Sequence, residues 1–152
     1  MKNKLTILVA AGLALGLSSG VSAAEITYRN HIQPLFEAKC SPCHGADAAP
    51  EHAAFKEKKE HWLAQGQGMR MDTYSHLVGY TAWPDTGALM RRLDDGRGQP
   101  GGKPGNMYLH LGDTEEERQQ NLGTFKAWVG NWTLKRWQEI GKTELDTILV
   151  KY

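Results

Sequence analysis

Cys40, Cys43 and His44 are the residues whose types and spacing do chemistry in this chain, in the run Cys40-Ser41-Pro42-Cys43-His44. Two thiols three positions apart reach the two vinyl groups along one edge of a porphyrin and form thioether bonds. The next residue then falls beneath the metal, so His44 supplies a proximal imidazole. This is the spacing of covalent haem attachment. Three other readings compete with it. A structural disulfide is the ordinary use of a cysteine pair in an exported chain. A dithiol redox pair wants a strand–helix–strand surround, and none is visible. A structural zinc site wants four ligands, and the chain has only 2 cysteines. Covalent haem is the reading that uses the histidine.

The other face of the iron sets the character of such a centre. A methionine sulfur raises the potential and closes the site, a second histidine lowers the potential, and an empty position admits ligands. The candidate methionines are Met69, Met71, Met90 and Met107; the candidate histidines are His31, His52, His61, His76 and His110. Met90 sits beside Leu89 and Leu93 on an amphipathic turn and reads as core. Met69 and Met71 straddle Arg70, and at least one of them should pack inward. His52 and His61 lie in a charged helix. Met107 ends a loop whose irregular backbone can swing over a flat cofactor, and His110 follows three residues later as the alternative.

The elements that must position these residues read as helical. Residues 28–39 place Ile32, Leu35 and Phe36 on one side at helical spacing, and Pro34 requires the helix to start nearby. Residues 51–64 suit one charged amphipathic helix, stopping near Gly66 and Gly68. Asp72 can cap a turn towards Leu77, and Asp85 another carrying Ala88, Leu89, Met90 and Leu93. Residues 96–106 hold five glycines and two prolines and read as a loop. Thr114 with Glu117 makes a capping box, and Glu115 and Glu116 suit the positive helix end. Leu122, Phe125, Trp128, Val129 and Trp132 then form one apolar stripe, which Gly130-Asn131 can end. Residues 141–152 are a tail that can dock. No repeat and no convincing strand is visible.

Lys2 and Lys4, an apolar run over residues 5–17 and the small residues Val21-Ser22-Ala23-Ala24 form a secretory signal, with residues 1–23 removed. A retained anchor is the competing reading, but 13 apolar residues are short against the roughly 20 that span a bilayer. No later stretch is apolar enough to span, so the mature chain, residues 24–152, is expected to be a soluble periplasmic protein of one domain. The whole chain has 18 basic and 17 acidic residues, and loss of the two lysines leaves a formal charge of −1. Nothing in that balance suggests nucleic-acid binding, which wants a strongly basic face. Arg70, Arg91 and Arg92 are candidates to pair with haem propionates, although solvated positions suit at least two of them. The five tryptophans read as core packing rather than an electron route.

Over residues 26–132 the chain resembles the class I c-type cytochromes, and among them the small bacterial monohaem domains. Ile32-Gln33-Pro34-Leu35-Phe36 running into Cys40 and on to His44-Gly45 is similar to their opening helix. Gly68-Met69-Arg70-Met71-Asp72-Thr73 looks like their middle segment, and Ala88-Leu89-Met90-Arg91-Arg92-Leu93 like the element after it. Met107, then the acidic cap of Thr114 to Glu117, then Lys126-Ala127-Trp128-Val129 follow in the family's order. Tyr108 stands where relatives usually carry proline. The resemblance implies an all-α class I cytochrome c fold, in which an amino-terminal haem-bearing helix crosses a carboxy-terminal one. It implies one haem c on Cys40 and Cys43, with His44 proximal and Met107 distal, and outer-sphere electron transfer rather than an enzyme. Expected partners are donor and acceptor cytochromes, a membrane quinol system, an oxidase or an outer-membrane conduit. A haem enzyme or gas-binding protein with an open or histidine-ligated distal site is the alternative.

Overall fold

The computed structural model describes residues 25–98 and 101–152. The expected signal, residues 1–23, lies outside the described residues. The first helical turn among the described residues is wide. Thr27 caps it, its hydroxyl accepting from the Asn30 amide at 3.3 Å, and Tyr28–Ile32 is π-helical before α1 (Gln33–Lys39) begins. Pro34 lies at the start of α1 and has no N–H to give to the preceding turn, so the expected single helix over 28–39 divides there. Ile32 and Phe36 are both buried, as their spacing requires.

After Cys40 a single turn, α2 (Ser41–His44), carries Cys43 and His44. The charged stretch that follows is two helices and not one: α3 (His52–Glu57) and α4 (Lys59–Ala64), broken at Lys58 with φ −129° and ψ 42°. The break turns the Trp62 indole back onto the Ala54 carbonyl at 3.2 Å while Phe55 stays buried. In α5 (Tyr74–Gly79) the cap is Thr73, which accepts from the His76 amide, rather than Asp72. Asp72 is committed elsewhere, to Arg70 and to the Ala46 amide. α6 (Ala88–Leu93) begins three residues beyond Asp85, whose expected capping role is not seen; Leu89, Met90 and Leu93 are buried from it.

A 3₁₀ turn, Tyr108–Leu111, leads to the longest helix, α7 (Glu115–Val129). Thr114 Oγ1 accepts from the Glu117 amide at 3.1 Å, as the sequence leads one to expect. The Glu117 carboxylate reaches back to the Asp113 amide, one residue earlier than in a standard capping box. Leu122, Phe125, Trp128 and Val129 are buried, and the helix ends at Gly130, where φ is 77°. They share one core with Tyr28, Ile32 and Phe36, so the amino-terminal turn packs on the carboxy-terminal helix. A short α8 (Lys142–Leu145) precedes the last segment.

That last segment docks. Leu149 and Val150 give their amides to the carbonyls of Val129 and Trp128 at 2.8 and 3.1 Å. The Lys151 carbonyl accepts from both the Tyr28 amide, at 2.7 Å, and the Trp128 indole, at 2.8 Å. Tyr152 stacks on Tyr28 with ring centroids 5.9 Å apart. Among the described residues there is no strand, only an isolated bridge between Gly130 and Ile148, and no helix long and apolar enough to cross a membrane.

Candidate functional site

Cys40 and Cys43 are both free thiols, so the disulfide reading of the pair does not hold in this structure. Cys40 packs against the core, whereas Cys43 is exposed. Burial, reinforced by the neighbouring Cys43, pushes the Cys40 thiol up to about 11. The turn between them leaves one thiol against the core and the other at the surface. Beside it runs an open groove of about 400 Å³, lined by Glu37, Pro42, Ala46 and Asp47 among others.

His44 is held from two sides. Its Nδ1 lies 2.7 Å from the carbonyl oxygen of Met69. A carbonyl only accepts, so Nδ1 carries the proton and Nε2 the lone pair. The backbone closes the same contact, with the Met71 amide donating to the His44 carbonyl at 2.9 Å. Gly68 makes the approach possible: a Cβ there would lie 2.7 Å from His44 Nδ1. Such an outer partner fixes the tautomer and the ring plane of a ligating histidine. Two free thiols on one turn and an imidazole with an unprotonated Nε2 are a donor set that fits a covalently held porphyrin iron.

The 68–76 segment is anchored by charge. Arg70 binds Asp72 at 2.6 Å and Glu51 at 2.7 Å. Burial works against ionisation of Asp72, but the hydrogen bond and charge of Arg70 outweigh it and hold the carboxyl below its usual range. Arg70 is therefore an internal strut, not a free cation. Arg91 is another strut: it donates to the carbonyls of Thr86 and Leu134 at 3.0 Å and of Lys135 at 3.2 Å. Of the three candidate arginines only Arg92 is exposed, and it binds Asn106 Oδ1 at 2.8 Å.

Met107 is half-buried and packs against the core, as do Met69 and Met71; Met90 is wholly buried; His110 is exposed. The Met107 loop is tied to α6 by two backbone bonds, Gly105 amide to Asp94 carbonyl at 2.8 Å and Met107 amide to Arg92 carbonyl at 2.9 Å. Gly105 has to be glycine for this, since a Cβ would run into the carbonyls of Arg91 and Arg92. Asp94 is itself buried, its carboxylate taking the Gly96 amide at 2.8 Å and the Trp132 indole at 2.9 Å.

Several contributors carry no sequence motif of their own. The Met69 carbonyl is backbone, and only the glycine before it hints at a close approach. The Asp94–Trp132 pair joins residues 38 positions apart, and nothing local marks it. Of the tryptophans, only Trp128 is fully buried; Trp62 and Trp132 are half-buried, and Trp83 and Trp137 are exposed, which corrects the expectation of core packing for the last two.

Residues 27–152 match the family model of the PccH cytochrome c. The solved structure of monohaem cytochrome PccH from Geobacter sulfurreducens is 68% identical, with a TM-score of 0.80, covering 85% of this chain and 100% of that one. A search of curated proteins returns no match. With the match spanning most of the chain and a solved relative of that identity, the chain belongs to the PccH cytochrome c family, a monohaem c-type cytochrome of class I fold with one covalently bound haem c.

Proposed function

We propose that this chain is a soluble, periplasmic one-electron carrier, with its haem on Cys40 and Cys43 and the iron held between His44 and Met107. The haem supplies a reversible ferrous–ferric couple when bound. The rest is the work of the chain. Cys40 and Cys43 fix the porphyrin edge, and Met69, through its carbonyl, holds the His44 ring with Nε2 forward. Met107 would hold the other side of the iron and keep water and small ligands from it.

One observation carries this reading: an exposed Cys43 together with a half-buried Met107. A cofactor edge open at Cys43, with Met107 taken as the distal ligand, would suit outer-sphere transfer and disfavour substrate chemistry at the metal. Redox proteins, a membrane quinol system or an outer-membrane conduit are the partners this implies, and the periplasm is where the leader-like residues 1–23 would send it.

The test is the purified holoprotein. Its mass should exceed that of the mature chain by one haem, and acid–acetone should leave the colour with the protein. A potentiometric titration should follow a one-electron curve. Haem entering the organic layer, or a ferrous form that binds carbon monoxide on mixing, overturns the reading.

A further inference from the structure

Tyr108, the residue after Met107, is buried to 4% exposure, yet its hydroxyl is not idle. It donates to Glu115 Oε1 at 2.8 Å and accepts from Gln119 Nε2 at 2.6 Å. Gln119 also reaches Asp95 Oδ2 at 3.1 Å. Glu115 in turn holds Arg97 at 2.6 Å and Arg118 at 3.1 Å. The hydroxyl is thus the hub of a network joining the segment that leaves α6, at Asp95 and Arg97, to the first turns of α7, at Glu115, Arg118 and Gln119.

We propose that Tyr108 is a positioning residue: its hydroxyl network is a latch that keeps Met107 closed over the iron and sets how readily an outside ligand displaces it. The proposal rests on the assignment of Met107 as the distal ligand. Met107 is fixed on one side through its own amide, to Arg92, and on the other through its neighbour's side chain. Lifting the sulfur off the metal by moving residues 105–108 strips the hydroxyl from both Glu115 and Gln119. A buried hydroxyl left without partners is costly, and bonds to charged groups are the stronger ones. Opening is therefore charged with the cost of breaking the latch, although the latch never touches the iron.

The consequence is measurable as competition. An external ligand binds only the open form, so its apparent affinity scales with the open fraction. Removing the hydroxyl raises that fraction, and its hydrogen bond to a carboxylate corresponds to about a tenfold change. Tyr108→Phe keeps the ring and its packing and removes only the hub.

The experiment titrates imidazole into the ferric holoprotein and follows the far-red charge-transfer band that marks methionine ligation. Tyr108→Phe should keep the band at rest and bind imidazole about tenfold more tightly. Gln119→Leu, which removes the donor that holds the hydroxyl, should move affinity the same way and serves alone if the phenylalanine variant yields no holoprotein. Tyr74→Phe loses a hydroxyl bond of 2.8 Å to the Val150 carbonyl, far along the chain, and should stay within twofold of the parent. A parent band with unchanged affinity in both variants overturns the latch, as does an equal rise in Tyr74→Phe, which would mark general loosening. A parent protein with no far-red band overturns the Met107 assignment itself, and the latch with it.

Discussion

The Nδ1 atom of His44 stands 2.7 Å from the carbonyl oxygen of Met69, 25 residues further along the chain. With His44 as the proposed proximal ligand, that bond would draw electron density into the ring, make Nε2 a stronger donor and favour the ferric state. Gly68→Ala forces the two apart. The expected result is a midpoint potential raised by roughly 20–60 mV, a several-fold change in the redox equilibrium at about 59 mV per factor of ten. Film voltammetry checks it; an unchanged potential would show that the ring keeps its partner despite the added methyl.

Met107→Ala should abolish the far-red band of the ferric protein and lower the potential, because a thioether favours the ferrous state relative to water or imidazole. Met90→Ala, at a wholly buried site, should leave the band intact and cost about 2–5 kcal/mol of stability. His110→Ala, at an exposed site, should change neither. If His110→Ala alters the spectrum while Met107→Ala does not, the protein is a bis-histidine cytochrome.

Acid should weaken the 70–76 segment. The folded-state pKa of Asp72 lies below its ordinary value of 3.8, so the carboxylate stabilises the fold fully above that value. The contribution is lost as pH falls through the lower folded-state value. Melting temperature measured from about pH 5 down to about pH 2 should drop less steeply in Asp72→Asn than in the parent. Parallel slopes would show that Arg70 and Glu51 hold the segment unaided.

Thr114→Ala should cost about 1 kcal/mol, since it orphans the Glu117 amide at the start of α7, and Thr114→Ser should recover most of that. Thermal unfolding of the three proteins is the measurement. A larger loss would implicate the neighbouring bond from Lys39 to Glu117, 2.5 Å long, which ties the residue before Cys40 to this same turn.

What could be read from the sequence is what depends on near neighbours. The Thr114 cap, the stripe from Leu122 to Val129 and the stop at Gly130 are local patterns and lie where the pattern puts them; Trp132, read as part of the same stripe, lies beyond the stop and is only half-buried. Local capping rules fail where a distant partner outbids them: Asp72 leaves the cap of α5 to Thr73 because Arg70 and the Ala46 amide claim its oxygens. The helix over 51–64 breaks at Lys58, and across the break the Trp62 indole meets the Ala54 carbonyl eight positions back. Arg91 carries the same charge as Arg92, and only the distant carbonyls of residues 134 and 135 make it internal. Periodicity is blind to such contacts, and to any carbonyl that serves a side chain from another element.

The clasp of Val150, Lys151 and Tyr152 on Tyr28 and Trp128 has a consequence for timing. Arg29 and Tyr152, 123 positions apart, meet in the finished fold. A chain emerging with its amino end first therefore offers Cys40, Cys43 and His44 long before the segment that seals the first turn has arrived. Contacts of such long sequence separation form late. The contacts that seal Tyr28 and Trp128 therefore wait on residues 150–152, while the turn from Cys40 to His44 needs none of them for its own backbone bonds.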